Sequence, residues 1–394
     1  MTREVKPAGI ERIAPKRRSF RSRLTLAAVD AFPLRASGGS SPDMALGVMP
    51  SRPALLLRLA DSDGVAGWGE VWANFPPRAN VHKAHLIEDA LAQHLPGLSF
   101  VEPAEAVQAL RDRLSAYFLH VGQLRVFEHV LAGLDIALWD LALRREGRSF
   151  AAHMGLPEAS APCYASSINS RDLERLLPLH AQLGQTSFKL KIGSDDDADL
   201  AFARRAAQLR PKGCRLMIDS NQSWDLSRAK AMLATLEDVE PAFAEEPIRA
   251  DSPPDAWEEL ARATRIPLAG GENVYGIDDF LTMANAGMRI LQPDVAKWGG
   301  VTGALALAEA LPECAQLWPH FMGSAVGQMA ALSVAAAIGN CGACEMDVND
   351  NVLRTGLCGD VLTISNGRVT LPGDAGLVPP PLPDFLEEYR EKGF

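Results

Sequence analysis

Seven short apolar stretches in the second half of the chain each end close to an ionisable residue: Lys191, Asp219, Glu245, Glu272, Asp294, His320 and Glu345. These residues fall 22 to 28 positions apart, with helical patterns between them. This rhythm restricts the fold more than any other feature. Alternation of strand and helix implies a parallel sheet, and one βα unit of a (β/α)₈ barrel takes about 30 residues. A flat doubly wound sheet could space its strands alike, but it seldom places a charged group after every strand. A barrel gathers all its strand ends around one mouth. A barrel is therefore expected, with "CYASS" (163–167) as its first strand.

The stretch "SFKLKIG" (187–193) tests the idea. Phe188, Leu190 and Ile192 alternate with Ser187, Lys189 and Lys191, so the two lysines share one face. Alone, the stretch reads more readily as a half-buried strand with wet lysines. Inside a barrel the apolar residues pack outward on helices and both lysines point inward. Two neighbouring ammonium groups disfavour each other's charge, so Lys191, nearest the mouth, is expected to have a depressed pKa suited to a general base. Lys189 is expected to tune it and to contact substrate anions.

Asp219, Glu245 and Glu272 end three successive strands. Like charges gathered at one mouth repel unless a cation neutralises them, and hard oxygen donors select Mg²⁺ or a similar ion over zinc. Opposite them, Asp294 ends one strand and His320 the next. A carboxylate on one imidazole nitrogen fixes the tautomer and raises the basicity of the other, giving a second acid/base group.

Upstream, residues 24–72 read as a strand, a polar Gly/Ser loop and a hairpin turning at "DSDG". Helical periodicity runs from about 82 to 145, with "VFEHVLAGLDIALWDLALRREG" the clearest amphipathic helix. An α+β domain over 24–150 is expected before a barrel over 160–360. After Glu345 no long amphipathic helix follows, so the eighth helix is replaced by irregular chain with a hairpin, and 361–394 is expected to return to the first domain. The first 23 residues hold eight Lys/Arg against two Glu and no apolar core of a secretory signal; they read as a disordered basic tail.

Composition narrows the function. A net charge of −10, with no basic face beyond the tail, argues against a nucleic-acid partner. No apolar run approaches the roughly 18 to 20 residues of a membrane helix. Six scattered cysteines do not form a disulfide scaffold and fit a reducing cytoplasm; the pair in "CGAC" lacks the further ligands of a zinc site.

"FKLKIG", "MIDSNQSW", "AFAEEP", "AGGENVYG", "QPDVAKWGGVTG" and "WPHFMGSAVG", in this order, resemble the enolase superfamily and its mandelate racemase subgroup. "GVAGWGE" and "GLDIALWDLA" are similar to that subgroup's capping domain. The resemblance implies a modified (β/α)₇β barrel, an α/β fold, with an N-terminal α+β cap completed by the C-terminal segment. It implies one Mg²⁺ on Asp219, Glu245 and Glu272, Lys191 of a Lys-x-Lys pair as one base, and the Asp294–His320 dyad as the other. The aspartate at 294 sorts the chain with the racemase type, since the muconate-lactonising type has a lysine there. Lys297 is similar to a lysine both types share, Asn221 is expected at the substrate, and Glu345 falls where the racemase has a carboxylic acid on the substrate carboxylate, though after a longer interval. Glu246 is left outside the metal shell.

The implied chemistry is abstraction of the proton α to the carboxylate of a small-molecule substrate, through an enediolate stabilised by Mg²⁺. "WPHFMGSAVG" and "MDVNDNVLR" are similar to acid-sugar dehydratases and galactarolactone cycloisomerases. The loop "RASGGSSPDMALGVMP" (35–50), with Met44 and Met49, is expected over the substrate. Racemisation of a 2-hydroxy acid is the alternative; a Schiff-base aldolase or a non-catalytic barrel are readings of other classes. A cytoplasmic homo-oligomer, dimer to octamer, is the expected assembly.

Overall fold

The computed structural model describes residues 18–37, 43–44, 47–339 and 341–393. The basic tail lies outside them as far as residue 17. From Arg18 the expectation of disorder gives way to packing: Arg18 N donates to His153 O at 3.2 Å, and the buried Phe20 ring stacks on His153 at 4.2 Å. One aromatic ring with a buried slot is enough to pin the end of a charged segment.

The cap is an antiparallel sheet of β1 (Leu24–Ser37), β2 (Ser51–Asp61) and β3 (Ala66–Val71), with short β4 (Ser99–Phe100) beside β1. Two helices, α1 (Pro103–His120) and α2 (Leu124–Arg145), cover it. Almost every residue of α2 from Phe127 to Leu143 is buried, because one side meets the cap sheet and the other the barrel. "GVAGWGE" needs its glycines here: a Cβ on Gly69 would lie 2.1 Å from Gly133 O, and one on Gly67 2.3 Å from Leu141 N. Sheet and helix meet backbone to backbone. Buried Asp140 of α2 then ties three segments, accepting from Trp68 N at 2.9 Å and Leu377 N at 2.7 Å and pairing with Arg144 at 2.8 Å.

Eight parallel strands follow: β5 (Ser160–Ile168), β6 (Ser187–Lys191), β7 (Arg215–Asp219), β8 (Ala244–Glu245), β9 (Leu268–Gly270), β10 (Met288–Leu291), β11 (Gln316–Leu317) and β12 (Cys344–Asp347). Each pairs with the next from β5 to β11. β12 pairs with β5, Cys344 opposite Cys163. Between β11 and β12 the ring is joined by the Leu317–Cys341 bridge and by Glu345 N donating to Pro319 O at 3.0 Å. Seven helices connect the strands, from α3 (Leu173–Gln182) through α4 (Asp196–Leu209), α5 (Leu226–Leu236), α6 (Pro254–Ala263), α7 (Ile277–Asn285) and α8 (Gly300–Ala310) to α9 (Ala325–Ala337). Tyr164, Met217, Phe243, Ala269, Ile290, Trp318 and Ala343 plug the interior, one residue in or next to each strand except β6. β6 contributes Lys189, the register partner of Met217.

No long helix follows β12. A one-turn helix, α10 (Val352–Thr355), leads to a hairpin of β13 (Ile364–Ser365) and β14 (Arg368–Thr370). That hairpin does not go to the cap: β14 pairs antiparallel with the start of β5, burying Val369. Asp350 O touches the cap before it, accepting from Arg52 at 3.3 Å, and within 361–394 hydrogen-bonded cap contacts run from Gly376, whose N donates to Arg148 O, to Glu391, which pairs with Arg35 at 2.5 Å. No helix among the described residues is long and apolar enough to cross a membrane. All six cysteines are free.

Candidate active site

The charged strand ends come together because parallel register sets them side by side: Lys191 opposite Asp219, and Asp219 opposite Glu245. Lys191 Nζ donates to Asp219 Oδ2 at 2.5 Å and to Asn221 Oδ1 at 3.1 Å. Lys189 Nζ lies deeper, fully buried, 2.7 and 2.6 Å from the two Glu245 oxygens and 2.9 Å from Glu345. His320 bridges two carboxylates, Nδ1 at 2.8 Å from Asp294 Oδ2 and Nε2 at 2.8 Å from Glu272 Oε2. With an acceptor on each nitrogen, the imidazole donates from both and is cationic as placed.

A cavity of about 420 Å³ opens over this cluster. Its floor is Lys191, Asn221, Gln222, Glu272, Asn273, Lys297, His320 and Met322, and its roof is the cap segment Trp72, Asn74, Phe75, Pro76 and Pro77. Lys297 Nζ donates to Asn273 Oδ1 at 2.8 Å and sits 4.5 Å above the Trp72 ring. The two groups expected to move protons, Lys191 and His320, thus share one cavity with Glu272.

Three of the expected residues sit in surroundings that alternation alone does not give. Burial, the largest influence, lowers the Lys191 pKa and Lys189 adds to it, but the carboxylates of Asp219, Glu245 and Glu345 together outweigh both, so the ammonium is raised rather than depressed. Lys189 does not line the cavity: it lies beneath the floor, paired with carboxylates. Glu345 does not line the cavity either. It is fully buried and accepts from the Ser166 hydroxyl, and although burial pushes its pKa up, Lys189 and His320 leave it below the ordinary carboxylate range.

The expected metal ligands are present but not gathered into a cage. Among the described residues no three His, Cys, Asp or Glu side chains form a ready metal cluster. Asp219 turns to Lys191, Glu245 to Lys189 and to Gln292 Nε2 at 2.6 Å, and Glu272 to His320. The charge balance nevertheless fits a divalent cation. Six carboxylates (Asp219, Glu245, Glu246, Glu272, Asp294, Glu345) meet four cations (Lys189, Lys191, Lys297, His320). The surplus shows in Glu245, which burial and Asp219 push up to about 8 despite Lys189 on both its oxygens, and in Glu246, pushed up to about 8 by burial and Glu272. Buried oxygens of Glu246 (Oε2) and Gln292 (Oε1) lack a hydrogen-bond partner. Hard oxygen donors in excess of positive charge are what Mg²⁺ requires.

Asn273 and the roof have no part in the sequence reading, which names Glu246 only to leave it outside the metal shell. Asn273 Nδ2 donates to Glu246 Oε1 at 2.9 Å and to Glu272 Oε1 at 3.1 Å, so it aligns two acids. Strand alternation would send Glu246 away from Glu245, but its φ of 41° turns the chain and keeps it buried at the site. The only signal was its place in "EEP". Residues 38–42 and 45–46 of the loop 35–50 lie outside the described residues, as does the Met44 side chain, while Met49 is buried with its Sδ 3.7 Å from Arg52 Nη1.

Residues 173–378 match the model of the enolase C-terminal domain-like family, and residues 37–155 match the mandelate racemase/muconate lactonizing enzyme N-terminal domain. The chain belongs to the enolase superfamily. Its solved neighbours include a mandelate racemase/muconate lactonizing enzyme from Bordetella bronchiseptica RB50, with 39% identity, a TM-score of 0.85, and coverage of 93% of this chain and 99% of that one. Among curated superfamily relatives, arabinonate dehydratase of Saccharolobus solfataricus is 26% identical, covering 84% of this chain and 89% of the relative. D-galactarolactone cycloisomerase of Agrobacterium fabrum is 28% identical, covering 86% and 92%. These superfamily matches span both the cap and the barrel, and so include both walls of the cavity.

Proposed function

We propose that this chain removes the proton α to the carboxylate of a sugar acid or sugar lactone and completes a dehydration or a cycloisomerisation. The observation that carries the reading is Lys191 and His320 facing one capped cavity, with carboxylates in excess of cations beneath them. The two full-length curated relatives, an acid-sugar dehydratase and a sugar-lactone cycloisomerase, support the substrate class.

Asp219, Glu245 and Glu272 would hold Mg²⁺. Bound there, it supplies Lewis-acid stabilisation of the negative charge that develops on the substrate carboxylate. The protein's own groups do the rest. Of Lys191 and His320, one takes the α-proton and the other delivers a proton, to a departing β-hydroxyl in dehydration or to carbon in isomerisation. Asp294 keeps the imidazole oriented through Nδ1, leaving Nε2 as the working atom. Lys297 borders the same floor, oriented by Asn273 Oδ1, and presents its remaining N–H groups to substrate oxygens. The roof of Trp72, Phe75, Pro76 and Pro77 excludes water and offers a flat apolar face to a ring. That same face favours a second reading, racemisation of a 2-hydroxy acid with an apolar substituent, and the product formed separates the two.

The test is turnover on a panel of sugar acids and lactones, followed by trapping of 2-oxo products with semicarbazide and by mass analysis. Activity should vanish with EDTA and return with Mg²⁺. Turnover unaffected by EDTA would remove the metal from the proposal.

A further inference from the structure

The segment from His320 to the start of α9, "HFMGSAVG" (320–327), carries one side chain with a chemical role, yet the cap grips it throughout. Alternate residues at the end of β3 reach into the barrel mouth. Glu70, buried, accepts from Ser324 N at 2.8 Å, Ser324 Oγ at 2.6 Å and Gly327 N at 2.8 Å. Trp72 N donates to Ala296 O at 3.1 Å, inside the loop that carries Asp294 and Lys297. Asn74 Nδ2 donates to Met322 O at 2.6 Å, two residues beyond His320.

The first turn of a helix has backbone N–H groups without helical partners and favours negative charge. At α9 a glutamate from the other domain serves this need. Two glycines make the slot. A Cβ on Gly323 would lie 2.6 Å from Glu70 Oε1 and 2.5 Å from the Phe321 ring, and one on Gly327 2.9 Å from Glu70 Oε2 and 2.2 Å from the same ring. The "GSAVG" motif is thus shaped to admit Glu70, and Phe321, next to the catalytic histidine, is clamped against it.

We propose that Glu70 is a positioning residue for the His320–Asp294 pair. It fixes the loop bearing His320, while Trp72, two residues on, fixes the loop bearing Asp294. The 2.8 Å contact between His320 Nδ1 and Asp294 Oδ2 therefore depends on a docked cap. Because Trp72 and Asn74 also roof the cavity, closing the cap over substrate and aligning the acid/base pair are one event.

The acid/base role of the pair rests on the function proposed above, so the primary readout needs no substrate. In Mg²⁺-loaded protein labelled with ¹⁵N-histidine, the His320 Nδ1–H signal is assigned by its loss in His320→Asn. In Glu70→Ala that proton should exchange with solvent at least about tenfold faster, and with a substrate in hand kcat should fall on the order of 100-fold with KM changed less than about threefold, as a small misplacement of a reacting group does. Glu70→Gln, which keeps one acceptor oxygen, should recover part of both. A Glu70→Ala protein that melts earlier but keeps the His320 signal and its exchange rate would overturn the proposal, leaving Glu70 as a staple between domains. If Glu70→Ala does not fold, Ser324→Ala removes one of the three bonds and is held to the same readout. Silence on the whole substrate panel would count against the proposed function and leave the histidine result standing.

Discussion

Lys191→Ala is expected to lower turnover by about 10³ to 10⁴, the upper range for loss of a general acid/base group. Lys191 Nζ lines the cavity, and no other lysine can replace it: Lys189 is buried beneath the floor and Lys297 is engaged by Asn273 and Trp72. The fold should survive, because Asp219 keeps a cation in Lys189 at 3.4 Å and a backbone donor in Asn221 N at 2.9 Å. His320→Ala should cost a similar factor. Asp294, its partner, would still accept from Ala296 N at 2.8 Å and Lys297 N at 3.1 Å, so the loop keeps its shape. Steady-state kinetics with a melting curve for each variant checks both statements. If either variant retains activity within about tenfold of the parent, below the usual contribution of such groups, the assignment of two proton-transfer residues is wrong.

Asp219→Asn is expected to weaken Mg²⁺ binding by on the order of 100-fold or more, since loss of an outer-shell partner alone costs 10- to 100-fold. Asp219 stands in register between Lys191 and Glu245, beside the proposed site of an ion shared with Glu245 and Glu272. An amide keeps an oxygen for Asn221 N but cannot supply the charge. The substitution also removes the carboxylate that raises the Lys191 pKa, so the lysine should titrate at lower pH than in the parent. Isothermal calorimetry with Mg²⁺ reads the first effect. Unchanged affinity would take Asp219 out of the metal shell.

The barrel was readable because its signal is periodic. A charged residue after every strand survives even where a strand is as short as Ala244–Glu245 or Gln316–Leu317, too short to be seen from apolar alternation alone. The inward direction of Lys189 and Lys191 followed from alternation once the sheet was parallel. What failed was whatever depends on partners distant in sequence. Two adjacent ammonium groups suggest a lowered pKa for Lys191, but the carboxylates that reverse it come from other strands. Lys189 and Ser166, which hold Glu345 Oε1 beneath the floor, are likewise far from it in sequence. Glu70 gave no hint of its reach, since "GWGE" reads locally as a strand end, and its three partners lie more than 250 residues away. The roof at 72–77 likewise shows no periodicity, only an aromatic and proline-rich turn.

Proton NMR in D₂O tests the central claim most directly. The protein is incubated with Mg²⁺ and a panel of sugar acids, sugar lactones and 2-hydroxy acids. The account predicts loss of the α-proton with deuterium entering either at the α-carbon, in isomerisation, or at the adjacent carbon of a 2-oxo product, in dehydration, absent with EDTA and absent in Lys191→Ala with His320→Ala. Turnover to products that keep the original α-proton, undiminished by EDTA, would contradict it.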